Sequence, residues 1–412
     1  MAQKTDLLSS ILSLFKRKGT STSSRQEAIP DFIVINGEKY STSLTELRLT
    51  YIGLSDNDIK SLRYMTKLKF LNLRNNRITD IRPLSALTNL TELWLDENPI
   101  TDIRPLSALT SLLKLHFYTN KISDIRPLSV LTNLEYLNLE QNHIKDISPI
   151  SALTNLTYLV LKANEINDIS PLSTLTNITY IDLAFNKITD ISPLSALTKL
   201  KELHLAFNQI TNINLSSDMT KLEYLDLMYT QIKNIYPLSA LTNLTCLVLA
   251  DNQITDIRPL SALTNLTELW MYKNQITDIS PLSALTNLKL LSLKSNQITV
   301  ISALRDMTNL AELQLDENQI NDINPLSALT KLKYLHLDYN QITDISPLSA
   351  LTELKCLHLD YNQITDISPL SALTELEKLY LVSNQITDWS PVEHLPHVRK
   401  TNNVWLLPTS LL

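Results

Sequence analysis

Glycine is almost missing from this chain. Of 412 residues only three are Gly, at positions 19, 37 and 53. A Gly-rich phosphate loop or dinucleotide fingerprint is therefore excluded beyond residue 53. The two cysteines, Cys246 and Cys356, cannot make a disulfide framework or a four-cysteine zinc site. No apolar run approaches the roughly 20 residues of a membrane-spanning helix, so stable membrane insertion is not expected. Basic residues are outnumbered, with a net charge of −6, and a nucleic-acid binder would instead show a basic stripe. No Ser/His/Asp or Cys/His constellation stands above the repeat background, so neither an enzyme nor a cofactor is expected. Leu7, Leu8, Ile11, Leu12 and Phe15 are interrupted by serines and followed by Lys16-Arg17-Lys18, unlike a secretory signal. A cytoplasmic protein is the expectation, with non-classical export as the other route.

What is present is a repeat of 22 residues. Asn recurs at Asn76, Asn98, Asn120, Asn142, Asn164, Asn186 and Asn208, and again from Asn252 to Asn384 at the same step. Fifteen positions fall on this comb, and only Thr230 breaks it. Within one unit, Leu93-Trp94-Leu95 alternates in period two, which predicts a short strand with the leucines inward. Stacked units then make one parallel sheet. Leu90, Leu93, Leu95, Ile100, Ile103, Leu106 and Leu109 form the core of the unit, which cannot fold alone and is completed by its neighbours. The Asn side chain can both donate and accept, so the comb predicts an amide ladder where the chain leaves the strand. Ser148-Pro149 and Ser346-Pro347 read as an N-cap followed by proline at the first position of a short 3₁₀ or one-turn helix. An Asp column (Asp80, Asp102, Asp124, Asp146 and so on) occupies twelve of the fifteen units. It is expected to accept backbone N–H bonds in the turn.

The run from Leu329 to Ala350, Leu-Thr-x-Leu-x-x-Leu-x-Leu-x-x-Asn-Gln-Ile-Thr-Asp-Ile-Ser-Pro-Leu-Ser-Ala, resembles the internalin-type bacterial leucine-rich repeat. It is also similar to the 22-residue class of a eukaryotic protein-phosphatase regulatory subunit. The resemblance implies an α/β solenoid: a curved right-handed superhelix with a parallel concave sheet and short 3₁₀ segments on the convex side. It further implies a non-catalytic scaffold that binds a protein on the concave face. The other roles it implies are a regulatory subunit docked on an enzyme such as a phosphatase, and a surface or secreted adhesin or effector.

Four regions follow. Residues 1–31 read as a flexible basic tail, with the apolar face from Leu7 to Phe15 either a membrane-surface helix or a terminus packed on the first repeat. Residues 32–67 form a cap and a degenerate first repeat, with a hairpin at Asn36-Gly37. Residues 68–397 hold the fifteen repeats. Residues 398–412 form a second cap, where Trp405, Leu406 and Leu407, with Trp389, cover the last core.

Function should sit where the repeat leaves positions free on the sheet. Tyr136, Tyr158 and Tyr180 fill one column in successive units, and Tyr224 follows. Phe185, Phe207 and Tyr229 fill another, beside Met228. Aromatic and methionine enrichment with few charges marks an interface core; leaning onto neighbouring turns is the plainer reading of the phenylalanines. A second set is His336 and His358 with Tyr339 and Tyr361. With Asp338 and Asp360, the histidines could hold a divalent metal, contact a protein, or form a solvated polar face created by duplication. Their titration could modulate binding. Acidic residues outnumber basic ones on these columns by fourteen to six, which favours a partner with a basic patch. A monomer is expected.

Overall fold

The computed structural model describes residues 29–395. The tail at 1–28, with its apolar face, and the closing cap at 398–412 lie outside the described residues. Phe32–Ile35 and Glu38–Ser41 pair antiparallel around the Asn36-Gly37 turn. Both turn residues have positive φ, 50° and 83°, which only glycine adopts freely at the second position.

From Glu46–Arg48 to Lys378–Tyr380, sixteen short strands form one parallel sheet in strict sequence order. The register is a constant 22 residues, Leu93 beside Leu115 and Leu115 beside Leu137. The first step is the exception: Leu47 stands beside Leu71, where the degenerate unit carries two extra residues. In the unit of Leu93 all seven expected core side chains are no more than 1% exposed. The strand puts alternate residues on opposite faces, so Leu93 enters the core and Trp94 stays on the outer sheet face.

Each Asn of the comb joins two units. Asn98 donates through Nδ2 to the Leu95 and Leu73 carbonyls, at 3.2 and 3.0 Å, and its Oδ1 accepts the Ile78 N–H at 3.1 Å. At Thr230 the ladder is only half replaced. Its hydroxyl donates to the Leu227 carbonyl at 2.7 Å, but it has no amide to reach Leu205 or to receive the Ile210 N–H. The preceding unit, that of Asn208, lacks a 3₁₀ segment, because Leu215-Ser216-Ser217-Asp218 replaces the Pro-Leu-Ser-Ala of its neighbours.

On the opposite side, 3₁₀ segments such as Ser148–Ala152 stack from unit to unit. Here the expected N-cap needs correction. The residue in the cap position is Ile147, Ser148 is already helical, Pro149 is second, and no side chain of the cap residue hydrogen-bonds the helix. The reason is that Asp146 does the capping from one residue further out: its Oδ1 accepts the Ser148 N–H at 2.8 Å. The same bond recurs at Asp168, Asp190, Asp278, Asp344 and Asp366. Where Arg replaces Ser, as at Arg104, the guanidinium also folds back on the carboxylate. The Asp column is thus a turn element.

Candidate functional site

The residue just before each ladder Asn is left-handed. φ runs from 52° to 57° at every such position from Asn75 to Ser383. Non-glycine side chains resist this region by roughly 1–2 kcal/mol, Asn and Asp least. Yet Phe185, Phe207 and Tyr229 occupy three consecutive copies at φ 57°, 56° and 54°. Their rings stack at 4.3 and 5.1 Å between centroids. Phe185 and Tyr229 are about half exposed, at 47% and 51%, and Phe207 is half-buried. The three rings therefore form a strip along successive turns.

The tyrosine column makes a second strip. Tyr136–Tyr158 and Tyr158–Tyr180 stack at 4.7 and 4.0 Å, with planes 9° and 7° apart. Tyr224 is brought in through His204, whose ring lies 5.3 Å from Tyr180 and 4.6 Å from Tyr224. Trp94 and His116 extend the stack at the other end, 4.1 Å from each other, with His116 4.5 Å from Tyr136. Reading columns one at a time misses these three, because Trp94, His116 and His204 stand two residues along from the tyrosine column. A diagonal contact between adjacent units carries the stack across. Burial holds His116 neutral, its pKa pushed down to about 4.

Between the two strips the surface is low. Asp182, His204 and Asp226 follow one another in one column, and Ala184, Ala206 and Met228 in the next. Asp182 Oδ1 accepts the Ala184 N–H, and Asp226 Oδ1 the Met228 N–H, both at 2.9 Å. Burial raises the Asp226 pKa, and the nearby Asp182 charge adds to it. Met228 also receives the Tyr272 hydroxyl on its sulfur at 3.5 Å.

The C-terminal set is a separate stack, five units beyond Tyr224, or roughly 24 Å at the strand spacing. His336 and His358 lie face to face at 4.2 Å, His358 and Tyr380 at 4.1 Å, and Tyr339 and Tyr361 at 4.2 Å. Asp338 Oδ2 sits 3.2 Å from His358 Nδ1. Asp338 Oδ1 accepts the Asp360 N–H at 2.7 Å, and Asp360 Oδ1 the Val382 N–H at 2.6 Å. Burial, then the neighbouring His358, push the His336 pKa down to about 4, so His336 does not change charge near neutral pH. Among the described residues no group of three or more His, Cys, Asp or Glu is arranged to hold a metal ion.

An Asn ladder broken only at Thr230, a strand per 22 residues and 3₁₀ returns define a leucine-rich-repeat solenoid. The leucine-rich-repeat family matches in successive windows from 42–86 to 330–372, and the chain belongs to it. It is similar to the internalin InlF of Listeria monocytogenes, with 36% identity, 83% of this chain and 89% of that one covered, and a TM-score of 0.59. The functional domain of InlJ from the same organism gives 28% identity, 84% and 76% coverage, and a TM-score of 0.72. A leucine-rich-repeat protein of Leptospira interrogans gives 28%, 87% and 90%, and 0.71. No curated protein sequence matches the chain. The protein is thus an internalin-like member of a class whose structures serve generally as protein-interaction scaffolds. No helix among the described residues is long and apolar enough to cross a membrane.

Proposed function

We propose that the protein is a non-catalytic scaffold that takes a protein partner on the concave sheet face. Tyr136, Tyr158, Tyr180 and Tyr224 form one contact strip and Phe185, Phe207 and Tyr229 the other, with Met228 between them. His336, Tyr339, His358 and Tyr361 provide a second contact set. The fifteen units from 68 to 397 carry the surface, and residues 32–67 close its first end.

One observation carries this reading. Phe185, Phe207 and Tyr229 hold left-handed backbone positions where conformation favours Gly, Asn or Asp, and Phe185 and Tyr229 expose about half their surface. Neither backbone preference nor the core accounts for aromatic rings there, whereas a partner that covers them does. The test is a cross-linked affinity capture from the native host with wild type and the Tyr158→Ala/Phe207→Ala double variant. The expected result is a partner held by wild type and lost by a double variant that still unfolds cooperatively. A partner retained by the double variant would overturn the assignment of the face, and a double variant that no longer folds would show these rings to be core.

A further inference from the structure

Asp182 and Asp226 carry charge that the fold does not use. Each carboxylate accepts the N–H two residues on. In the same column Asn138 does this with a neutral amide, its Oδ1 taking the Glu140 N–H at 2.9 Å, and Asn72 does it for Arg74 at 3.0 Å. An amide therefore suffices for the turn. Several other acids on the sheet face meet cations from neighbouring units: Glu97 with Arg74 at 2.6 Å, Glu140 with Lys162 at 3.5 Å, Asp251 with Lys273 at 3.5 Å. Among the described residues Asp182 and Asp226 form no such pair. Between them stands His204, whose Nε2 is buried without a hydrogen-bond partner and lies 4.0 Å from Glu202.

These two acids line a trough. On one side is the tyrosine row and on the other Phe185–Phe207–Tyr229. The floor is Ala184 and Ala206, whose side chains leave the space that Tyr118, Lys162 or Lys294 fill in the same column of other units. Successive residues on this face lie roughly 7 Å apart along the chain, so the trough has room for a side chain between its walls. The ring faces are already covered by neighbouring rings at 4.0–5.3 Å, so the walls offer edges and hydroxyls. A flat sugar or a nucleobase has no open face to stack on within the rows.

We propose that this trough takes an arginine-bearing segment of a protein partner, with aliphatic stems over Ala184 and Ala206 and guanidinium groups on Asp182 and Asp226. This rests on the concave-face reading above and names what the partner must present. Arginine fits better than lysine, because its fork pairs two nitrogens with one carboxylate and its plane lies against ring edges. A long stem also covers apolar wall while its head stays on the acid.

The test uses the full chain and 12-residue peptides selected on it from a random phage-displayed library, with affinities read by fluorescence anisotropy. Selected peptides should carry arginine. Replacing that arginine by uncharged citrulline should weaken binding at least tenfold. Asp182→Asn/Asp226→Asn should weaken the arginine peptide as much, and should leave the citrulline peptide unchanged, which is the signature of a direct pair. Ala206→Arg, which supplies the missing cation from within, should abolish binding in a protein of unchanged circular dichroism. Peptides that are lost on Ala206→Arg but indifferent to citrulline and to the Asn variants would overturn the arginine anchor and leave the concave-face reading standing. Peptides indifferent to Ala206→Arg and to Tyr158→Ala/Phe207→Ala would overturn both. A library that yields no binder would overturn the trough as a peptide site.

Discussion

Tyr158 and Tyr180 face each other at 4.0 Å with planes 7° apart, close to the spacing of the strands that carry them. The sheet thus sets the stack, and the stack reports on the sheet. Burial raises the pKa of Tyr180, and a hydrogen bond with Tyr158 adds to it. Tyr158 stands between two rings, so Tyr158→Ala removes two stacked pairs, worth about 0.5–1.5 kcal/mol each. Tyr158→Phe keeps both and loses only the hydroxyl. The expected order of unfolding midpoints is wild type, then Phe, then Ala, with the Ala variant about 1–3 kcal/mol down. Equal midpoints for Phe and Ala would show that stacking contributes nothing.

Asn164 donates to the Leu139 and Leu161 carbonyls at 2.9 and 3.1 Å and accepts the Ile144 N–H at 3.0 Å. Asn164→Ala leaves these buried backbone groups without partners, at about 1–3 kcal/mol. The preceding unit is tied to this one by the same bonds, so denaturant unfolding should broaden as well as shift. An unchanged midpoint would refute the ladder at this unit.

Thr230 offers the reverse experiment. It is fully buried, it lacks the amide that reaches the preceding unit elsewhere, and Gln231 beside it has φ 69°. Thr230→Asn restores a donor for the Leu205 carbonyl and an acceptor for the Ile210 N–H. The variant should be more stable by about 1 kcal/mol. Lower stability would show that the backbone here has settled into a form that excludes the amide.

The period of 22 and the alternation at Leu93-Trp94-Leu95 were enough to read the sheet, the core and the ladder, because each is a per-residue pattern repeated along the chain. Asp146 was legible as a turn acceptor by the same means. Its consequence, that the segment is capped from Asp146 and begins at Ser148, was not, since only backbone geometry decides which residue is the first helical one. The left-handed residue before each Asn was invisible because glycine, its usual marker, never occurs there. His204 and Trp94 were missed as members of the ring row because a diagonal contact between units has no fixed sequence offset within a column. The pairing of Glu97 with Arg74, set against the unpaired Asp182, likewise depends on which side chains from adjacent units meet.

Asp316 gives a prediction with a definite sign. It is 5% exposed and its Oδ1 accepts the Asp338 N–H at 3.3 Å. Burial, then the neighbouring Asp338, lift its pKa to about 6, against about 4 in an unfolded chain. The folded state thus binds the proton more tightly than the unfolded state. The stability this confers is complete below about pH 4 and is lost as pH rises through 6. At pH 7 the native protein carries a buried charge whose cost is at most about 2–3 kcal/mol. Asp316→Asn keeps the acceptor and removes the titration. Relative to wild type it should gain stability steadily from pH 4 to pH 7 and show no further gain above that. The exposed Asp–Arg turns, such as Asp102 with Arg104, titrate alike in both proteins and cancel in the difference. A difference that stays flat between pH 4 and 7 would mean that Asp316 is ionised throughout, with Lys294, which favours its charged form, outweighing burial.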